Sequence, residues 1–177
     1  MDCVYQMVKS QETDEEFYEC KISSDEVVEN SEAEFSIRYE NHLQGKSNED
    51  VQAIKVGANP DFYVIPLNFG AVFKNIIQIS ITYTKITKIT SENLKFFPKL
   101  IYLDLCCNEI RAIEKNLFEN NPDLETIDLN SNQINKIDKE AFTGLRKLRF
   151  LDLRENVIEA DHATTRNEVV KMLENLN

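Results

Sequence analysis

The sequence predicts an α/β solenoid: a curved parallel sheet on the concave face, a β-rich N-terminal cap and a C-terminal capping helix. Three observations carry this. Ile76, Leu100, Leu124 and Leu148 each open the same pattern, 24 residues apart. From each start, apolar residues recur three and five positions on, as Ile79 and Ile81, Leu103 and Leu105, Ile127 and Leu129, and Leu151 and Leu153. Outside this frame the chain changes character, with 14 acidic against 4 basic residues in 1–50 and a helical apolar stripe near the end. A fixed period of this size marks stacked units, none of which can bury its apolar face alone.

Each repeat position has a physical role. The segment L-x-x-L-x-L is a short strand whose alternation turns the leucines inward and Ser80, Asp104, Asp128 and Asp152 outward. Eight positions after each start stand Thr84, Asn108, Asn132 and Asn156. An Asn there both donates and accepts, so a ladder of Asn108, Asn132 and Asn156 can satisfy buried backbone groups where the chain leaves the strand. Thr84 can do less of this. Ile86, Ile110, Ile134 and Ile158 follow, then Ile89, Ile113 and Ile137, until Asp161 breaks the column. Leu94, Phe118 and Phe142 form a spine behind the sheet, each burial contributing roughly 1.5–3 kcal/mol. Pro98 and Pro122 end the convex segments. With its ninth-position Asn, the pattern is that of a leucine-rich repeat.

The two ends complete the organisation: 1–53 an acidic N-terminal cap, 54–75 a degenerate first repeat, 76–160 four regular repeats, 161–177 a C-terminal capping helix. In the cap, Tyr18, Cys20 and Ile22 lie on one face of a strand and Phe35, Ile37 and Tyr39 on one face of another. Ile54, Val56, Ile65-Pro66 and Phe73 resemble a repeat of about 22 residues, with a loop marked by Gly57 and Asn59-Pro60. Thr165-Arg166-Asn167-Glu168 matches a capping box, and Val169, Met172, Leu173 and Leu176 share one helical face.

At 177 residues and 42% hydrophobic, the chain can bury one core and has no apolar run long enough for membrane insertion. The net charge of −11 disfavours nucleic acid and anionic membrane as partners. Four cysteines fall into Cys3 and Cys20, far apart, and the neighbours Cys106 and Cys107, without zinc spacing. A bridge from Cys3 to Cys20 would stabilise a segment with little core by about 3 kcal/mol. Free thiols there would fit a cytoplasmic protein instead. Cys106 and Cys107 are expected to be unpaired. Met1-Asp2-Cys3 lacks the apolar segment of a signal peptide, so a mature secreted form and a cytosolic protein both fit.

Catalytic, cofactor-binding and metal-binding residues are not expected. Gly45-Lys46-Ser47 has the tail of a phosphate-binding loop, yet Glu40 stands where that motif needs a glycine. His42 and His162 read as loop histidines. The outward carboxylates, about 4.8 Å apart on adjacent strands, are ordinary on a solvated sheet face. An enzyme site at Asp104, Cys106 and Cys107 has the least support.

Tyr18-Glu19-Cys20, the segment His42-Leu43-Gln44-Gly45-Lys46-Ser47-Asn48-Glu49-Asp50-Val51, and Ile65-Pro66 ahead of regular repeats resemble the short secreted leucine-rich-repeat proteins of insects. The resemblance implies pairing of Cys3 with Cys20, an extracellular location, and recognition in innate immunity or cell-surface signalling. That family's C-terminal cap carries cysteines, and Asn156-Val157-Ile158-Glu159 has none.

The expected function is protein binding, with a protein partner in a homo- or hetero-oligomer, and an intracellular scaffold or regulatory subunit that binds another protein is the alternative. The partner-binding face is the concave column set Gln78, Ser80 and Thr82; Tyr102, Asp104 and Cys106; Thr126, Asp128 and Asn130; Phe150, Asp152 and Arg154. Tyr102, Phe150 and Arg154 are of the types that dominate interface energies. Four strands alone offer only about 250 Å², whereas a standard interface takes about 800 Å² per partner. Tight binding therefore also needs the cap strands, the loops at Tyr83, Cys107, Ser131 and Glu155, or a second copy.

Overall fold

The computed structural model describes residues 3–9, 15–22, 41–60, 62–67, 69–159 and 161–176. The expected strand at Phe35, Ile37 and Tyr39 lies outside them. In chain order the strands are β1 (Cys3–Lys9), β2 (Glu16–Ile22), β3 (Ala53–Gly57), β4 (Gln78–Thr82), β5 (Tyr102–Asp104), β6 (Ala112–Ile113), β7 (Thr126–Asp128), β8 (Lys136–Ile137), β9 (Phe150–Asp152) and β10 (His162–Ala163). Eight of them form one sheet in the order β1-β2-β3-β4-β5-β7-β9-β10, while β6 and β8 pair separately. The six inner strands from β2 to β9 run parallel. The outermost, β1 and β10, each pair antiparallel with their neighbour.

The repeat frame starts earlier than the expected Ile54. Ile54 of β3 pairs with Ile79 of β4, one residue more than the regular step from Ile79 to Leu103. Counting back places Val51 at the first position, and Val51 is fully buried, as are Ile54 and Val56. Asn59, expected in a loop, then falls at the ninth position and is fully buried too. Phe69 opens helix α1 (Phe69–Val72) and extends by one rung the spine of Leu94, which ends helix α2 (Ser91–Leu94), Phe118 and Phe142. Five turns therefore stack, and the degenerate first repeat begins at Val51 instead of Ile54. That start is hidden in the sequence because Val51 ends an acidic run and its turn is one residue longer.

The cap strands join the same sheet. Tyr18, Cys20 and Ile22 of β2 are buried against the first turn, and β1 folds back on β2 with a disulfide between Cys3 and Cys20. The segment after Asn41 is tied to this hairpin through side chains. Tyr18 Oη accepts from the Leu43 N–H at 3.0 Å and lies 3.1 Å from His42 Nδ1, whose Nε2 is 2.9 Å from Asn48 Oδ1. The His42 ring stacks on Tyr5 at 4.0 Å. The Gly45 turn closes with a bond from Lys46 N–H to the Leu43 carbonyl, and Ser47 caps the short 3-10 turn Asn48–Asp50 in a reciprocal box with Asp50. The Gly45-Lys46-Ser47 triplet is thus a turn and a cap.

At the other end, helix α3 (Arg166–Asn175) starts at Thr165, whose hydroxyl accepts from the Glu168 N–H while the Glu168 carboxylate returns to Thr165. Val169 is fully buried and Met172 and Leu173 pack against the core. The cap also contains β10, which the sequence pattern did not announce.

Candidate functional site

One feature of the turns sets the rim of the concave face. Ala58, Tyr83, Cys107, Ser131 and Glu155 hold the eighth position of each turn, and all five have left-handed backbone with φ between 51° and 57°. No glycine stands there, so nothing in composition signalled it. The conformation aims the N–H along the stack: Ala58 donates to the Thr82 carbonyl, Cys107 to Asn130 and Ser131 to Arg154, at 3.0–3.1 Å. Those stacking bonds offset the unfavourable φ.

Beneath the rim runs the Asn ladder. Asn132 Nδ2 donates to the Leu105 and Leu129 carbonyls at 2.9 and 3.1 Å, and its Oδ1 accepts from the Ile110 N–H at 3.0 Å. Asn108 and Asn156 repeat the arrangement, each joining its own turn to the one before. Thr84 takes part by donating to Asn108 Oδ1. Asn121 forms a second clamp missed by the sequence pattern: it is fully buried and donates to the Leu94 and Phe97 carbonyls at 3.1 and 2.8 Å.

Above the rim lies the concave face. Gln78, Tyr102, Thr126 and Phe150 are side by side, and so are Ser80, Asp104, Asp128 and Asp152. Ser80, Thr126 and Asp152 are buried, Arg154 is exposed, and the other eight of the twelve expected residues are half-buried. A trough of about 630 Å³ runs along this face from Gln6 and Phe17 in the cap hairpin, past Lys55, to Tyr102, Thr126 and Arg149. The cap is thus part of the face.

The aspartates have a common local task. Each accepts, through Oδ1, the N–H two residues on: Cys106 to Asp104 at 3.1 Å, Asn130 to Asp128 at 3.0 Å and Arg154 to Asp152 at 3.0 Å. This fixes the strand end, a structural role. Their outer oxygens differ. Asp104 Oδ2 accepts from Ser80 Oγ at 2.9 Å, and Asp152 Oδ2 from the Arg154 guanidinium at 2.6 Å. Burial raises the Asp152 pKa, but the Arg154 bonds outweigh it and hold this carboxyl below its ordinary value. Asp128 goes the other way: burial, then the charges of Asp104 and Asp152, push it up despite the Asn130 bonds.

Cys106 and Cys107 are free thiols at the rim. Burial first, then Asp104, drives the Cys106 pKa far up, so it stays protonated and is a poor nucleophile. His162 pairs with Asp161 at 2.9 Å on the exposed C-terminal edge, far along the stack from His42. Among the described residues no three metal-ligating side chains cluster, and no helix is long and apolar enough to cross a membrane.

Residues 98–158 match the family model described as leucine rich repeat, about a third of the chain. No curated protein matches the chain. Similar solved structures include a TLR13–ssRNA13 complex, at TM-score 0.55 and 22% identity over 61% of this chain and 15% of that one. The Toll–Spatzle complex, described as a hub in Drosophila development and innate immunity, aligns at TM-score 0.52 and 19% identity over 61% and 17%. An internalin, InlF, from Listeria monocytogenes aligns at TM-score 0.49 and 24% identity over 72% and 34%. This chain therefore spans under a fifth of the length of the first and second of these. At such identities the likeness is one of backbone architecture, and the fold is a leucine-rich-repeat solenoid.

Proposed function

We propose that the chain is a non-enzymatic recognition module that binds a protein on its concave face, outside the cell. The observation that carries this is the single trough that joins the cap hairpin to the repeats. Eight strands at ~4.8 Å spacing span roughly 34 Å, and strands of two to seven residues average about 15 Å, so the face offers on the order of 500 Å². That is about twice the area of four strands. With the rim residues Tyr83, Cys107, Ser131 and Glu155 it approaches the ~800 Å² of a standard interface. Tyr102 and Phe150 supply the aromatic anchors.

A protein fits this face better than a nucleic acid. Of the two similar structures named by their complexes, one holds RNA and the other Spatzle. Here the net charge is −11 and the middle of the face carries Asp104 and Asp128, which repel phosphate. The Cys3–Cys20 bridge supports an oxidising compartment. An innate-immune or cell-surface role, as the insect resemblance implies, belongs to the same reading.

The test is capture from native-source material with the oxidised chain, repeated with Tyr102→Ala plus Phe150→Ala. The double variant is expected to weaken binding of the captured protein by about 100-fold or more, since two central anchors are removed. Unchanged affinity refutes the concave-face reading. Reduced Cys3 and Cys20 in freshly isolated native protein would refute the extracellular location.

A further inference from the structure

The three stacked aspartates differ in one respect that points to a ligand group. Asp104 spends both oxygens on Cys106 and Ser80, and Asp152 spends both on Arg154. Asp128 uses only Oδ1, for the N–H and the side-chain amide of Asn130. Its Oδ2 has no partner among the described residues. The half-buried carboxylate therefore sits between two others, and burial first, then their charges, raise its pKa.

Two residues along the same strand, Thr126 lies in register between Tyr102 and Phe150. The two aromatic residues stand two strand spacings apart, about 10 Å, with a small buried side chain as the floor between them. A cation midway would be about 5 Å from each ring, inside the ~6 Å range of cation–π attraction.

From this juxtaposition, resting on the concave-face reading, we infer a receptor slot for one arginine side chain of the protein partner. Its guanidinium lies over Thr126 between Tyr102 and Phe150 and donates to Asp128 Oδ2. Arginine fits better than lysine because its planar fork stacks on rings and meets a carboxylate side-on. Arg154 serves Asp152 in this way within the chain, two strand positions from the slot.

The experiment uses the full chain, ¹⁵N-labelled, titrated with N-acetyl-arginine amide and separately with its uncharged citrulline analogue. The expected result is a saturable shift of the Thr126, Asp128 and Asn130 amides with the arginine probe alone, and binding about tenfold weaker in Asp128→Asn. Asparagine retains the Oδ1 acceptor, so the variant keeps its fold and its amide spectrum reports that directly. Equal binding of both probes, equal binding by Asp128→Asn, or no shift at these amides overturns the slot. Shifts confined to Lys55 and Gln78 would overturn the slot while leaving the concave-face reading intact. Shifts confined to the convex side would tell against both.

Discussion

At the scale of single residues, two backbone positions carry local cost that substitution can expose. Ala58 is left-handed with φ 51°, a conformation that costs a side-chain-bearing residue roughly 1–2 kcal/mol, whereas glycine loses about 0.5–1 kcal/mol of chain entropy. Ala58→Gly is expected to stabilise by about 0.5–1 kcal/mol, read as a higher urea midpoint with unchanged slope. Gly70 is the converse. A Cβ there would stand 2.0 Å from Phe96 Cβ, so Gly70→Ala must displace the turn and is expected to destabilise by about 1–3 kcal/mol. Asp128 gives a pH signature. Its raised folded pKa means that the native state holds the proton more tightly than the unfolded chain does. Stability from this group is present at low pH and is lost as pH rises from the ordinary aspartate value through the raised one. Asp128→Asn should therefore raise the melting temperature at pH 7 and lose that gain by pH 3. An equal gain at both values would show that the carboxylate charge is not the cause.

At the scale of elements, what can be read from sequence depends on whether a role is periodic in residue type. The leucine columns, the Asn108, Asn132 and Asn156 ladder and the Thr165 capping box are visible because each role demands one kind of side chain. The left-handed eighth position escaped notice because Ala, Tyr, Cys, Ser and Glu fill it, and the stacking bond it makes comes from the backbone. Asn59 and Val51 escaped because their turn is one residue longer and borders an acidic run. At the concave face, sequence alternation identifies the columns, but not which aspartate keeps an outer oxygen without a partner among the described residues, because that depends on neighbours 24 residues away such as Ser80. The ladder itself is testable. Asn132→Leu would leave the Ile110 N–H buried without its acceptor and strip one amide donor from each of the Leu105 and Leu129 carbonyls, which keep Asn108 and Asn156. A loss of about 2–4 kcal/mol is expected, at ~1–3 kcal/mol for a fully buried orphan and less where other bonds remain. Asn156→Leu, at a half-buried rung, should cost less; an equal loss would mean that the ladder acts by volume and not by hydrogen bonding.

At the scale of the whole molecule, contacts run from each turn to its neighbours, so the chain behaves as a short one-dimensional stack whose ends decide its cooperativity. The C-terminal end is covered by β10 and α3. The N-terminal end depends on a hairpin whose β1 buries only Cys3 and Tyr5, with Val4 and Met7 exposed. So thin a layer holds its register largely through the Cys3–Cys20 bridge and the Tyr5, His42, Tyr18 and Asn48 cluster. Replacing both cysteines by serine removes a loop constraint worth about 3 kcal/mol. In a stack, that loss is local before it is global. Amide exchange should accelerate most in β1 and β2, less in β3 and β4, and least in β9 and α3. Because the trough begins at Gln6 and Phe17, the same variant should lose the part of any partner affinity that the cap contributes while keeping the slot over Thr126. Uniform acceleration along the whole chain would instead mean that the five turns and the cap unfold as one unit, and that the bridge governs the binding face from end to end.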